Sequence, residues 1–154
     1  MSGTPEPLDR DAIAARIPHA GRMCLLDRVL DWSDAAIRCR ATSHRDADNP
    51  LRDAAGLPAT SAIEYAAQAM AVHGALLASA AGAPRVGYLA SVRGVELRVA
   101  RLDTIADALD IRAERVTGDD NSILYTFTVA AAGETLVSGR AAVILDRTTP
   151  GSRT

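Results

Sequence analysis

The sequence predicts an α+β domain in which an antiparallel sheet wraps around one long central helix. The segment 57–84 is rich in alanine and apolar nearly all round, and Glu64 is its only formally charged residue. A surface helix would show a charged face, so this helix is expected to be buried by other structure. The flanking segments alternate or are rich in β-branched residues, and hairpin-like breaks separate them. This pattern favours antiparallel strands over βαβ crossovers.

The elements before the central helix are short. Residues 9–17 predict a helix that has Asp9 as its N-cap and that ends at Pro18. Residues 23–31 are rich in apolar side chains and fit either a strand or a helix. Residues 35–42 alternate with the period of a strand.

The central helix should begin after a polar loop at residues 43–56. Pro58 suits its first turn, and Thr60 or Ser61 could cap it. Gly82-Ala83-Pro84 would end it. Four strands are predicted beyond it, over residues 86–99, 105–116, 122–131 and 135–146.

The chain length fits one domain with a sizeable core. We expect this domain to span residues 8–146 of the 154, between a disordered leader at 1–7 and a flexible tail at 147–154. With 17 basic and 19 acidic residues, the formal net charge is −2. A nucleic-acid-binding protein would be expected to carry a basic face, so this balance gives no support to such a role.

No motif for a metal or a cofactor is present, and none is expected to bind. The sequence has no CxxC or HExxH pattern, no cluster of histidines and no glycine-rich phosphate loop. Cys24 and Cys39 lie in apolar or alternating runs, which predicts buried free thiols in a cytoplasmic protein. The polar N-terminus shows no signal peptide. The long apolar segment contains Glu64, Gln68 and His73, so it predicts a core helix rather than a membrane span.

Three motifs along the chain carry a family resemblance. They are the segment 17–29 (IPHAGRMCLLDRV), the segment 63–68 (IEYAAQ) and the segment 87–90 (GYLA). In this order they resemble the opening, the central-helix signature and the next strand of hotdog-fold 3-hydroxyacyl-[acyl carrier protein] (ACP) dehydratases. Asn49-Pro50-Leu51 is similar to the subgroup found in aryl-polyene gene clusters. The resemblance covers about residues 13–146 and implies a hotdog fold and a lyase that forms enoyl-ACP.

One element of that family is missing. The dehydratases of fatty-acid synthesis carry a catalytic histidine in a His-Phe-Pro-Gly segment before the helix glutamate. Counting back by the family spacing from Glu64 reaches Pro50, and the histidine segment is absent. Dehydration needs a base for the C2 proton and an acid for the C3 hydroxyl. The resemblance therefore implies Glu64 as the catalytic carboxylate and leaves the base open.

Three residues near Glu64 in sequence are candidates to assist it. His44 could swing into the site as a replacement base, or it could be a solvated loop residue. Asn49 could orient a water or a carbonyl group, although the Asn-Pro pair also fits a plain turn. Gln68 lies one helical turn after Glu64, where it could orient the carboxylate, bond a neighbouring subunit or find a local partner.

Further candidates lie elsewhere in the chain. His19 matches the Pro-His of the family opening, where the resemblance implies a role in supporting the fold or the pocket wall. His73 lies about 180° around the helix from Glu64 and is expected to be a core or interface histidine. Four arginines could meet an acidic carrier protein or the phosphate of its phosphopantetheine arm, or could simply be solvated: Arg22, Arg93, Arg98 and Arg101.

Three functions fit these observations. The first is an active 3-hydroxyacyl-ACP dehydratase in fatty-acid-like or aryl-polyene biosynthesis. The second is a non-catalytic hotdog subunit that pairs with a histidine-bearing dehydratase, which the missing segment favours. The third is a hotdog acyl-thioesterase. In each case we expect a homodimer or a heterodimer, because a lone hotdog sheet leaves an edge strand uncovered.

Overall fold

The structure of the protein is a computed structural model that describes residues 7–17, 23–80, 87–119 and 121–145. Within these residues the chain forms two α-helices, α1 (Arg10–Ala14) and α2 (Ala62–Ala80). The strands are β1 (Leu8–Asp9), β2 (Arg28–Trp32), β3 (Ala36–Ala41), β4 (Gly87–Leu97), β5 (Leu109–Gly118), β6 (Ser122–Ala131) and β7 (Glu134–Leu145). Short 3-10 turns cover Ser43–Arg45 and Ala59–Ser61.

The described strands form one antiparallel sheet in the order β1-β2-β3-β5-β6-β7-β4. The last three strands in sequence, β5 to β7, are consecutive neighbours, as hairpin connections require. Strand β4 follows α2 in sequence and pairs with β7, which places it at the end of the sheet opposite β1. The β6–β7 hairpin turns at Ala132 and Gly133, whose φ angles of 51° and 81° match the turn type favoured by the twist of adjacent strands.

Helix α2 packs against one face of this sheet, where it contacts β3 to β7. Twelve of its 19 residues are buried, which confirms the central helix predicted from the apolar segment. The opposing strands supply alternate buried side chains, among them Ile111 on β5 and Phe127 on β6. Small residues permit a close approach inside this layer: a Cβ at Gly139 would lie 2.9 Å from the Phe127 ring.

The elements before the helix follow the sequence expectations with two refinements. Asp9 caps α1 as predicted, since its carboxylate accepts a hydrogen bond from the Ala12 N–H at 2.9 Å. The helix then ends at Ala14, sooner than predicted. The ambiguous segment 23–31 contributes a strand, β2, and no helix.

The predicted cap of the central helix is wrong. A 3-10 turn over Ala59–Ser61 precedes α2, its N-cap is Pro58, and no side-chain cap bond forms there. The strand predicted at residues 105–116 also starts late, at Leu109. The preceding residues bond elsewhere: residues 100–103 pair with the segment before α2, and the Ile105 carbonyl lies 3.0 Å from the His44 ring. The predicted helix stop at Gly82-Ala83-Pro84 lies outside the described residues, as do His19 and Arg22.

Both cysteines, Cys24 and Cys39, are buried and free, as the sequence predicts. In the parts of the chain that the structure describes, no helix combines the length and apolarity needed to traverse a lipid bilayer. The same residues include no group of three His, Cys, Asp or Glu side chains placed to hold a metal ion.

Candidate functional site

The start of the central helix is fixed by a short backbone pairing. Leu102 N–H donates to the Leu57 carbonyl at 2.8 Å, and Ala59 N–H donates to the Ala100 carbonyl at 2.9 Å. The Asp103 carboxylate accepts a further bond from the Leu57 N–H at 2.9 Å. These bonds hold the segment that leads into α2, so the first turn of the helix has a defined position against the sheet.

Glu64 lies in that first turn and is half-buried. The backbone N–H groups of a first helical turn have no partner within the helix, and the helix dipole favours negative charge beside them. In this protein the 3-10 turn before α2 satisfies part of these donors, since the Ser61 N–H donates to the Pro58 carbonyl and the Ala62 N–H to the Ala59 carbonyl.

Gln68 lies one turn further along and is fully buried. Its Oε1 accepts a hydrogen bond from the Leu25 N–H at 2.9 Å, and its Nε2 donates to the Met23 carbonyl at 2.6 Å. The same Nε2 lies 3.5 Å from Glu64 Oε2. Gln68 thus binds the segment before β2 to the helix and reaches the carboxylate at the limit of hydrogen-bond distance.

A second polar network joins the loop after β3 to the helix through Tyr65. The Tyr65 hydroxyl lies 2.7 Å from Ser43 Oγ, which donates to the Leu25 carbonyl at 2.8 Å. Asn49 Nδ2 donates to the Tyr65 hydroxyl at 3.0 Å and to the Ser43 carbonyl at 2.8 Å. Asn49 Oδ1 accepts from the Leu51 N–H at 2.8 Å. Asn49 is therefore occupied in holding its own loop against the helix.

His44 is fully buried, and a solvated loop position is not what the structure shows for it. Its Nε2 lies 3.0 Å from the Ile105 carbonyl, while its Nδ1 has no hydrogen-bond partner. Burial lowers the pKa of this imidazole; the carbonyl groups of Ile105 and Asp107 oppose the shift only in part. No hydrogen bond joins His44 to Glu64 among the described contacts.

His73 occupies the second half of α2, as a core histidine. One ring nitrogen, Nδ1, lies 2.7 Å from the Tyr125 hydroxyl, and Nε2 lies 2.7 Å from the Ser33 carbonyl. The His73 and Tyr125 rings also meet edge to face, with centroids 5.6 Å apart. Burial lowers the pKa of His73, which favours the neutral ring. Because a carbonyl oxygen can only accept, the Nε2–H donates to Ser33, and Nδ1 accepts from the Tyr125 O–H.

The structure brings Glu64 and Gln68 together, and it ties Asn49 to Tyr65, the residue that follows Glu64. It does not bring His44 to the carboxylate. The sequence analysis missed Tyr65 and Ser43 as members of the network. The sequence did contain a feature that could have indicated Tyr65. It is the only Phe, Trp or Tyr in the long apolar segment, and a buried tyrosine hydroxyl needs a hydrogen-bond partner.

Comparison with known proteins identifies the family. The model of the ApeP-like family, described as ApeP dehydratase, matches residues 11–149. The chain belongs to the ApeP-like dehydratase family. This membership confirms the resemblance to the hotdog dehydratases and to their aryl-polyene subgroup. No curated protein matches the sequence at a significant level.

Solved structures show the same fold. A chain of the dehydratase heterocomplex ApeI:P from Xenorhabdus doucetiae is 27% identical, with a TM-score of 0.78 over 87% of this chain and 90% of that one. A thioesterase from Haemophilus influenzae is 9% identical, with a TM-score of 0.67 over 95% and 96% of the two chains. A mutant thioesterase from Pseudomonas aeruginosa is 10% identical, with a TM-score of 0.60 over 79% and 81%. The two thioesterases support the hotdog fold alone.

Proposed function

We propose that this protein is one subunit of a two-chain hotdog dehydratase that converts 3-hydroxyacyl-ACP to enoyl-ACP, with Glu64 as the carboxylate that this chain contributes. The observation that carries the proposal is the position of Glu64, half-buried in the first turn of a buried helix and within reach of Gln68. A carboxylate there can exchange a proton with a substrate whose thioester carbonyl points at the helix start.

The reaction needs a second proton-transfer group. Elimination of water from a 3-hydroxyacyl thioester removes a proton from C2 and adds one to the departing C3 hydroxyl. Both described histidines are engaged elsewhere: His73 through both ring nitrogens, and His44 through its bond to Ile105 in a fully buried site. These contacts favour supply of the second group by another chain. His44 and Asn49 are retained as alternatives that require a rearrangement of the loop.

The edge of the sheet is suited to such pairing. Strand β4 is 11 residues long and has a described neighbour, β7, on one side. None of the described strands pairs with its other side, where the main-chain groups could bond a second strand. The similar ApeI:P structure is described as a dehydratase heterocomplex. We therefore propose association with a second hotdog chain, and prefer a heterodimer to a homodimer.

We propose the substrate class from the resemblance to the hotdog dehydratases. It is an acyl chain that is extended and dehydrated while attached to a carrier protein through phosphopantetheine, in aryl-polyene or fatty-acid-like biosynthesis. Membership in the ApeP-like dehydratase family supports this proposal. We further propose that the reaction takes place in the cytoplasm. It requires no metal or cofactor, because proton transfer alone completes it. His19 and Arg22 remain proposed contacts to the substrate.

Mass spectrometry of a 3-hydroxyacyl-ACP tests this proposal directly. The ACP is incubated with the purified protein, with a histidine-bearing hotdog dehydratase, and with both together. We expect the mass of one water to be lost with both proteins, and faster than with either alone.

Each other outcome has a distinct meaning. Full activity of this chain alone would contradict the two-chain requirement and return attention to His44, Asn49 and His19. Release of free carrier thiol would indicate a thioesterase. If the Glu64→Gln variant and the partner dehydratase together remove water as fast as the wild-type pair, Glu64 is not the catalytic carboxylate and the protein is a non-catalytic subunit.

A further inference from the structure

Two arginines face each other on the side of the sheet that points away from α2. Arg93 on β4 and Arg140 on β7 are direct partners in the antiparallel ladder, so their side chains leave the same face of the sheet. Both residues are exposed. Like charges directly opposite each other destabilise a sheet, so this pairing has a cost that a ligand of opposite charge would remove.

Neither guanidinium has a partner among the described residues. No ion pair or hydrogen bond from Arg93 or Arg140 reaches any of them, although five other ion pairs form between described residues. The nearest acidic residue along β4, Glu96, lies 3.6 Å from Arg98. The Arg140 guanidinium lies over Gly94, where a Cβ would be 3.6 Å from its Nη2 atom.

The two arginines flank a cavity of about 280 Å³ with an apolar floor. Its lining consists of Ser91, Arg93, Leu124, Arg140, Ala141 and Ala142. The apolar surface continues beyond the cavity on the same face. Ala142 is followed two residues later by Ile144, which is 45% exposed and is the ladder partner of Tyr88, itself 50% exposed. From Arg140 to Ile144 the strand rises about 13 Å.

We propose that this cavity binds an organic anion whose carboxylate or phosphate head lies between Arg93 and Arg140 and whose hydrocarbon chain follows Leu124, Ala142, Ile144 and Tyr88. Guanidinium groups form charge-assisted, often bidentate, bonds with such heads. The exposed apolar side chains lie in line with the two arginines, so the hydrocarbon chain of the ligand can pack on them and remove their apolar surface from water.

The charge pattern on the rest of this face favours a small ligand over an acidic protein. Arg38 and Asp110, further across the sheet, neutralise each other through two guanidinium nitrogens at 3.0–3.2 Å. Arg40 and Arg112 are also exposed on this face, but Arg40 has Asp110 as its ladder partner and Arg112 has Glu114 two residues along the same strand. The cavity differs because two arginines without a described acidic partner share its wall, so a single anionic head can neutralise both.

Calorimetric titration of the full-length protein with octyl phosphate, below its micelle concentration, tests the site. We expect saturable binding that weakens about tenfold or more in Arg140→Gln and in Arg93→Gln, since each removes a charge-assisted bond. Arg112→Gln is the matched control, an exposed arginine on the same face but outside the cavity, and should change the affinity less than twofold. Without ligand, both site variants should melt at the wild-type temperature or slightly above it, because like-charge repulsion is reduced.

Three other probes separate the parts of the proposal. Octanoate distinguishes a carboxylate from a phosphate head, and binding of either supports the site. Inorganic phosphate that binds as tightly as octyl phosphate would contradict the apolar part, and octanol that does so would contradict the arginine part. Absence of saturable binding by both amphiphiles, or binding unchanged in both site variants, would overturn the proposal. The site lies on the opposite face from Glu64, so its failure leaves the dehydratase proposal unaffected.

Discussion

The two halves of helix α2 bury polar side chains in opposite ways. In the second half, His73 is enclosed, and each ring nitrogen lies 2.7 Å from an oxygen that satisfies it. In the first half, Gln68 and Tyr65 fix loops against the helix, while Glu64 stays half-buried beside them. The same apolar helix thus holds one polar side chain that is enclosed and one that is only half-buried.

We expect the second half of α2 to contribute mainly to stability and the first half to the proposed reaction. The hydrogen bonds of His73 offset the cost of burying its ring, and no ligand is needed to satisfy it. Their loss should therefore lower the free energy of unfolding. A half-buried carboxylate at a helix start costs less to maintain than a fully buried one, and in the proposed reaction the substrate contacts it. Substitutions in the two halves should therefore affect different measurements.

Replacing Glu64 should have the largest effect, and on activity alone. Glu64→Gln keeps the size of the side chain and removes its ability to transfer a proton, so turnover of 3-hydroxyacyl-ACP by the two-chain enzyme should fall about 10²–10⁴-fold. The thermal midpoint should stay within a few degrees of wild type. Glu114→Gln, an exposed carboxylate on the outer face of the sheet, is the matched control and should keep full activity. If Glu64→Gln loses stability in proportion to activity, the two halves of α2 do not differ in the way proposed.

Replacing His73 should affect stability most. His73→Phe strands the Tyr125 hydroxyl and the Ser33 carbonyl, and we expect a loss of about 2–4 kcal/mol in the free energy of unfolding. Urea denaturation measures it. His44→Phe is the comparison variant: one of its two ring nitrogens has a described hydrogen bond, to the Ile105 carbonyl, so the loss should be smaller. Equal losses would show that the unpartnered Nδ1 of His44 has a bond in solution.

Acid should weaken the fold through the same two histidines. Burial lowers the pKa of both His44 and His73, so below about pH 6.5 the unfolded chain binds more protons than the folded one. Stability then rises with pH, is fully present above the unfolded pKa and is lost as the pH falls below it. Between pH 7 and pH 5.5 we expect a decrease of up to about 2 kcal/mol, measured by urea denaturation. His73→Phe should reduce this decrease by about half, and a flat profile would contradict neutral, buried rings.

The sequence predicted the architecture because local patterns encode it. An apolar segment with a single charge, and alternating segments divided by turns, require a buried helix against an antiparallel sheet whatever the details of packing. The pair formed by Glu64 and Gln68 was also predictable, since residues four apart share a helix face.

The contacts of the loop residues were not predictable. His44 and Asn49 lie in a polar stretch, where composition indicates exposure, and yet both are buried by long-range contacts to Ile105 and Tyr65. The partners are 61 and 16 residues away in sequence, and no local period reports such a contact. The cap of α2 failed for a related reason: backbone pairing with Ala100 and Leu102 fixes the helix start, so no side-chain cap is needed.

The smallest expected effect tests how much the polar contacts in the first half of α2 contribute to stability. Tyr65→Phe removes the hydroxyl shared with Ser43 and Asn49, but Ser43 keeps its bond to the Leu25 carbonyl and Asn49 keeps its bond to the Ser43 carbonyl. The unfolding free energy should therefore fall by only about 1 kcal/mol. Tyr125→Phe is the matched variant in the second half, where the hydroxyl serves His73. If Tyr65→Phe lowers turnover well beyond its effect on stability while Tyr125→Phe does not, the loop carrying Asn49 positions the substrate, because only that loop is released near Glu64.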